Sequence, residues 1–250
     1  MPFRDYFSQQ AREYAQHRPR YPEAMFDYLA SLAPSNELVW DCGTGNGQAA
    51  LALANRFQRV IATDASAEQI ASAFPHERIE YRIEPSEYTT IPSGTVDLIT
   101  VGTAVHWFDF EPFYAEVRRV GKANSILAVW TYHLPVIEPE IDRWLEHFYR
   151  VTLADYWPER IHYLDLRYRT LHFPFAEIEP PAFEMEANWE LNSLIGFLGS
   201  WSAVRKLIKD NGKKAFVDQI KELERLWGKK SSQREIRWPL HFRIGKVSPA

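Results

Sequence analysis

Short apolar runs alternate with stretches of helical composition between about residues 37 and 132, a rhythm typical of a doubly wound parallel α/β sheet. The pattern predicts strands near 37–42, 58–63, 78–83, 95–101 and 124–132, with helices near 46–56, 66–74 and 110–121. The run VDLITVGTA is apolar enough to be a central strand that is buried on both faces. We therefore expect its end to reach the ligand crevice of the sheet.

The pattern changes after Thr131. Apolar residues recur at helical spacing between Ile141 and Thr152, and further helical runs cover roughly 192–210 and 213–228. Strict alternation in AFEMEANWE and REIRWPLHFRI predicts two half-buried strands, an antiparallel pair with a helical insertion between them. Pro239 cannot donate to a sheet ladder, so it predicts a bulge or an edge position in the second of them.

Composition narrows the class of protein. At 250 residues and 46% hydrophobic content the chain can bury a substantial core, and its net charge of −4 gives a nucleic-acid partner no electrostatic support. The single cysteine, Cys42, excludes an intramolecular disulfide and a cysteine-based zinc cluster, and we expect no metal site. The polar, charged start of the chain and the lack of a long apolar stretch predict a cytoplasmic enzyme without a membrane partner.

The segment ELVWDCGTGNG, residues 37 to 47, carries the clearest functional signal. A buried strand that ends in a loop with glycines at 43, 45 and 47 brings bare backbone N–H groups to the edge of a sheet, where a side chain would block a ligand. The next apolar run ends at Asp64, roughly 20 residues further on, where a carboxylate is placed to accept hydrogen bonds from ribose hydroxyls. Together these features outline an adenosine site.

The glycines alone leave the ligand open. The spacing Gly45-x-Gly47-x-x-Ala50 also fits the dinucleotide fingerprint, so an NAD(P)-dependent oxidoreductase is one alternative, although no Tyr-x-x-x-Lys pair follows. A module that senses the cofactor without catalysis is another alternative, and glycine-rich turns also occur without any ligand.

Several further segments suggest a family. The acid and glycines from Asp41 to Gly47, the acid at Asp64 and the final antiparallel pair make the chain resemble class I S-adenosylmethionine-dependent methyltransferases. Further segments sharpen the resemblance and point to one branch: FSQQAREYAQHRPRYP, VDLITVGTAVHWFD, and GFLGSWSAVRKLIK followed by IRWPLHFRIGK. Within that family it is similar to the trans-aconitate methyltransferase-like branch. The resemblance implies a Rossmann-like doubly wound seven-stranded sheet, mostly parallel with a C-terminal antiparallel pair, and a helical insertion that covers the active site.

The resemblance also implies a division of the chain and a cofactor, S-adenosyl-L-methionine. Residues 1–36 would form a helical segment over the cofactor, 37–134 the cofactor-binding core, and 135–250 the cap insertions with the last two strands. Within the core, the family's pattern places cofactor-binding residues along the carboxyl edge of the first three strands. With Tyr14 of the N-terminal segment, they are Asp41, Gly43, Thr44, Gly45, Asp64, Ala65, Gln69, Ser86 and Glu87.

Candidates for the chemistry lie elsewhere. Arg18 could pair with a carboxylate through its planar fork or be a surface arginine. His106, just past the fourth strand, could act as a base or only shape the methyl-transfer channel, and Trp107 could be a core ring or part of the pocket wall. Tyr132 and Trp201 are candidates for the substrate pocket, with core packing as the competing explanation.

Together with these residues, the resemblance implies a monomeric or weakly dimeric methyltransferase that transfers a methyl group to an oxygen of a small molecule that carries a carboxylate. A carboxylate acceptor needs no base, because it is already ionised at neutral pH. Catalysis would then consist mostly of alignment and desolvation. A methyltransferase of tRNA or protein is the alternative within the same reaction class.

Overall fold

The computed structural model describes residues 19–247, which form a single mixed sheet with helices on both faces. The strands are β1 Leu38–Cys42, β2 Arg59–Asp64, β3 Ile79–Ile83, β4 Val96–Gly102, β5 Gly121–Tyr132, β6 Ala176–Glu177, β7 Glu184–Trp189 and β8 Arg234–Lys246. The α-helices are α1 Glu23–Leu32, α2 Gln48–Ala54, α3 Ala67–Ala71, α4 Phe110–Val120, α5 Pro139–His147, α6 His162–Asp165, α7 Leu191–Gly199, α8 Ser202–Asn211 and α9 Lys213–Trp227.

The strand order is β3-β2-β1-β4-β5-β8-β6, and β7 pairs with β8 outside this path. Strands β1 to β5 run parallel, whereas β6, β7 and β8 form antiparallel pairs. The α/β prediction is confirmed, including the antiparallel pair at the C-terminal end and the helical insertion between its strands. The sheet has eight strands, and the additional one, β6, has only two residues, which is too short to produce a hydrophobic periodicity.

The central strands are buried on both faces because helices cover each side of the sheet. Alternate side chains of β1 enter different cores: Val39 packs with α1 and α2, whereas Trp40 packs with Phe113 and its neighbours on α4. The apolar run of β4 is buried from Val96 to Val101, as its composition predicted. This two-sided burial holds the central strands in place and so positions the loops that leave them.

Two predicted helices are interrupted in the structure. The helix expected over 192–210 is two helices, α7 and α8, because Trp201 has an extended backbone with φ −68° and ψ 137°. Beside the break, the Ser200 hydroxyl donates to the carbonyl of Phe197 over 2.6 Å. The helical run that begins at 139 changes at residue 148 into a π-helical turn, Phe148–Thr152. Both interruptions place aromatic side chains in the cap. We use this name for the helical part of residues 133–233, between β5 and β8, which covers the sheet edge.

Pro239 lies where β8 exchanges one partner for another. Residues 234–239 of β8 pair with β7, and from Leu240 onward β8 pairs with β5. The backbone N–H of Leu240 donates to the carbonyl of Phe183 over 2.9 Å, directly after the proline. A residue that lacks an N–H is tolerated at this position because the ladder changes there.

Arg243 of β8 anchors the strained turn that follows α6. Arg167 and Tyr168 have φ values of 54° and 58°, which non-glycine residues rarely adopt. The Nη1 of Arg243 donates to the carbonyls of Tyr168 and Leu171 over 3.0 and 2.9 Å, and its other nitrogens bind the Glu177 carboxylate over 2.5 and 2.8 Å. One guanidinium therefore connects the cap to the sheet.

We expect Arg243→Lys to lower the free energy of unfolding by about 2 kcal/mol, because a lysine keeps the charge but cannot make this set of charge-assisted bonds. Urea unfolding measures the effect. The matched control is Arg225→Lys in the surface pair Arg225–Glu222, where both side chains are at least half exposed. The control variant should leave the unfolding midpoint unchanged. Equal effects of the two changes would contradict an anchoring role for Arg243.

Candidate functional site

A cleft with a volume of about 1180 Å³ opens at the carboxyl edge of the parallel strands. It lies at the point where the strand order reverses, because β1 has β2 on one side and β4 on the other. The loops after β1, β2, β3 and β4 contribute its wall, and residues of the cap close one side. The sequence-predicted residues that line it are Asp41, Gly43, Thr44, Gly45, Asp64, Ala65, Gln69, Ser86, Glu87, Trp107 and Tyr132.

Asp41, near the end of β1, is buried beneath the glycine loop, with 1% of its surface exposed. Its carboxylate accepts hydrogen bonds from the hydroxyls of Thr44 and Thr100 over 2.5 and 2.7 Å. Burial raises the pKa of Asp41 to about 6, while the two hydroxyls act in the opposite direction. The cleft therefore contains a carboxylate whose pKa lies well above the ordinary range for an aspartate.

The three glycines of the loop all have positive φ but serve different purposes. A Cβ on Gly43 would lie 2.7 Å from the Cβ of Ala104, and one on Gly47 would lie 2.2 Å from the hydroxyl of Tyr81, so both positions are closed by packing. A Cβ on Gly45 would meet only the Gln69 Oε1, at 3.8 Å. At Gly45 alone a side chain would project into open space in the cleft, where a ligand can approach the backbone.

Asp64, at the end of β2, holds the glycine loop in place. Its Oδ2 accepts from the backbone N–H of Gly45 over 2.9 Å, and its Oδ1 accepts from that of Ser66 over 2.9 Å. The hydroxyl of Ser66 in turn accepts from the N–H of Gln69, over 3.3 Å, which caps α3. Asp64 also lines the cleft, so the residue that holds the glycine loop faces the same space as Gly45.

Ser86 and Glu87 bring the loop after β3 to the loop after β4. Ser86 is buried, and the Glu87 Oε1 accepts from the backbone N–H of Asp109 over 3.0 Å. Glu87 thus stabilises the far wall of the cleft in addition to lining it.

His106 is placed behind the cleft wall. It does not line the cleft, 2% of it is exposed, and its Nδ1 lies 2.9 Å from the hydroxyl of Tyr168. Burial, together with the nearby charge of Arg160, lowers the pKa of His106 to about 3. The ring of Trp107, 4.8 Å from that of His106, belongs to the wall. This arrangement favours the shaping role over the base role, because an efficient general base has a pKa near the working pH.

Of the two residues predicted for the substrate pocket, only one lines the cleft. Tyr132, at the end of β5, lines the cleft, whereas Trp201 does not. Trp201 packs against the rings of Trp157, Phe197 and Tyr149, with centroid distances of 5.6 to 5.8 Å. The structure therefore places Trp201 in the aromatic core of the cap. Tyr14 and Arg18 lie outside the described residues.

Thr103 and Arg160 are notable among the wall residues that sequence reasoning missed. Thr103, directly after β4, has φ 53°, a rare conformation for a β-branched residue that concentrates at functional sites. Arg160 belongs to the 3₁₀ turn Glu159–Ile161 of the cap and points its guanidinium at the loop after β4. Neither could be found from the sequence, because a positive φ at a threonine has no signature and the segment around Arg160 has no hydrophobic periodicity.

Two features are absent from residues 19–247. No group of three or more His, Cys, Asp or Glu side chains in this part of the chain is arranged to hold a metal ion. None of the helices described there combines the length and the apolar character that a membrane crossing requires.

Comparisons with known proteins agree with this architecture. The methyltransferase domain family matches residues 40–129. A methyltransferase sequence from Dictyostelium discoideum is 33% identical over 224 residues, which cover 88% of this chain and 85% of the relative. The S-adenosylmethionine-dependent methyltransferase CRG1 of Saccharomyces cerevisiae is 23% identical over 86% of this chain and 88% of its own length.

A solved structure supports the same assignment. The structure of a type II methyltransferase from Anaeromyxobacter dehalogenans has a TM-score of 0.85 and 39% identity, and the match covers 93% of this chain and 99% of that one. These relatives are methyltransferases, which replaces the alternative of an NAD(P)-dependent oxidoreductase. Membership of the trans-aconitate methyltransferase-like branch stays a prediction. The chain belongs to the class I S-adenosylmethionine-dependent methyltransferases.

Proposed function

We propose that this enzyme transfers the methyl group to a carboxylate oxygen of a small molecule and so forms a methyl ester. The observation that carries the proposal is the state of His106. His106 lies behind the cleft wall, is hydrogen-bonded to Tyr168, and has its pKa lowered to about 3 by burial, so it is a poor base. A carboxylate acceptor is consistent with this site, because it is an ionised nucleophile at neutral pH.

The size of the cleft supports a small acceptor. Its volume of about 1180 Å³ slightly exceeds the range of about 300–1,000 Å³ typical of sites for one drug-sized ligand, so a small acceptor can lie beside the cofactor. Pro158, Glu159 and Arg160 of the cap form part of the wall, and they would limit the size of that acceptor.

We assign the cofactor residues from the geometry of the wall. S-adenosylmethionine, when bound, supplies an electrophilic methyl group on a sulfonium. In this assignment Gly45 leaves room for the cofactor at the loop, Asp64 would accept from the ribose hydroxyls, and Asp41 would interact with the amino group. In this proposal Gly43 and Thr44 border the methionine part of the cofactor, and Ala65, Gln69, Ser86 and Glu87 border the adenine. The wall then aligns the acceptor and excludes water, which are the main catalytic contributions that it can make.

The direct test is an assay with S-adenosylmethionine labelled in its methyl group against small mono-, di- and tricarboxylic acids, with phenols, amines, bulk tRNA and protein in parallel. We expect label in a product that mild alkali releases as methanol, which identifies a methyl ester. Alkali-stable label on nitrogen or carbon, or label on a macromolecule, would overturn the proposal.

Gly45→Ala tests the cofactor site against a matched control. Gly94 also has a positive φ, 66° against 57°, and a Cβ on it would meet no atom within 4 Å. Both alanine variants should therefore lose about 1 kcal/mol of stability from backbone strain. Only Gly45→Ala should lower the affinity for S-adenosylmethionine, by about tenfold or more, because its methyl group enters the cleft. Calorimetric titration measures the affinity of each variant for S-adenosylmethionine. Equal affinities in the two variants would exclude close approach of the cofactor to Gly45.

The raised pKa of Asp41 predicts a pH dependence of cofactor binding. A cationic amino group favours the ionised carboxylate, so affinity should be constant well above pH 6 and fall as the pH decreases through about 6. Between pH 7 and pH 5 we expect a loss of about tenfold, measured by calorimetry. Asp41→Asn should bind more weakly and show a flat profile over this range. An identical profile in the two proteins would mean that another group titrates.

A further inference from the structure

Arg160 has the position and the unused donors of an anion-binding residue. It is the one arginine or lysine among the described residues that line the cleft, and six carboxylates share that wall with it. They are Asp41, Asp64, Glu84, Glu87, Asp109 and Glu159. None of these carboxylates, nor any other in residues 19–247, lies within 4.0 Å of its guanidinium nitrogens.

The guanidinium is nevertheless held firmly. Its Nη1 donates to the backbone carbonyls of His106 and Phe108 over 3.2 and 2.7 Å, and its Cζ lies 5.8 Å from the ring centroid of Phe110. These contacts attach the cap to the loop after β4 and fix the plane of the fork. Ordering this side chain therefore costs little when a ligand binds, since its rotamer is already restricted.

The unused edge suits a planar anion. With Nη1 engaged, the Nε and Nη2 of Arg160 have no hydrogen-bond partner in the described part of the chain. These two nitrogens form the edge that binds a carboxylate with two parallel hydrogen bonds. Hydrogen bonds to neutral carbonyls do not balance the positive charge of an arginine. An anionic partner is the usual way to balance that charge.

We propose that Arg160 binds a carboxylate of the methyl acceptor and thereby selects anionic acceptors. This inference rests on the proposed function, since it concerns the acceptor of that same reaction. Arg160 comes from the cap, whereas the residues assigned to the cofactor come from the ends of β1 and β2 and from the segments that follow β1, β2 and β3. It is a binding and specificity residue.

The first experiment measures binding without turnover. The full-length protein, saturated with S-adenosylhomocysteine, is titrated with tricarballylate, succinate and, as the neutral analogue, succinamide. We expect wild type to bind at least one of the two acids, Arg160→Gln to bind it about tenfold to a hundredfold more weakly, and Arg160→Lys to recover part of the loss. Succinamide should not distinguish the proteins. The control variant is Arg169→Gln, an exposed arginine bonded to the carbonyl of Leu166, which should behave as wild type.

Three outcomes would overturn the assignment. The first is equal acid binding by wild type and Arg160→Gln, and the second is no measurable acid binding by wild type. The third is a loss of S-adenosylmethionine affinity in Arg160→Gln with unchanged acid binding, which would mean that Arg160 binds the carboxylate of the cofactor.

Kinetics then separate this inference from the proposed function. Methyl esters formed with the same KM by wild type and Arg160→Gln would leave the proposed function intact and remove Arg160 from it. Acids that bind through Arg160 but receive no methyl group would keep Arg160 as an acid-binding residue and would contradict the proposed function. If both proposals hold, Arg160→Gln raises the KM for the acid acceptor about tenfold or more, and the affinity for S-adenosylmethionine is unchanged.

Discussion

The cleft depends on one topological constraint, the reversal of strand order at β1. The chain passes from β1 to β2 and β3 on one side of the sheet and returns to β4 and β5 on the other, so the loops after β1 and β4 diverge and leave a gap. Asp41 spans that gap, since its carboxylate joins Thr44 of the first loop to Thr100 of the neighbouring strand. Burying a charged carboxylate costs free energy unless it is hydrogen-bonded. The charge of Asp41 therefore depends on the position of the loop that supplies Thr44.

Side chains that bind the backbone of another loop complete the wall. Asp64 accepts from Gly45, Glu87 accepts from Asp109, and Arg160 donates to Phe108. In each case a charged group meets a main-chain polar group that would otherwise need water, and such bonds are stronger than neutral ones. These bonds connect each loop to the backbone of another loop or segment of the wall. The same principle operates in the cap, where Arg243 holds the carbonyl of Tyr168.

The predictable parts of this structure are those with a local signal. The strands β1 to β5, the burial of β4 and the carboxylate at the end of β2 follow from hydrophobic runs and the residues that end them. The placement of His106 does not, because its position next to Trp107 gives no indication that Tyr168, 62 residues away, engages its ring. Arg160 and Trp201 depend in the same way on how the cap folds against the sheet. Tertiary contacts decide these positions, and a hydrophobic pattern reports only which face of an element is buried.

Charge balance leads to a final consequence for the order of binding. Six carboxylates in the wall create a negative potential that attracts the cationic cofactor and repels an anionic acceptor. If the acceptor is a carboxylate, as we propose, the positive charge of the bound sulfonium lowers that repulsion, and Arg160 supplies the only cation among the described lining residues. The electrostatics therefore favour entry of the cofactor before the acceptor, and they favour release of the ester product, which has lost one negative charge and with it part of its attraction to Arg160.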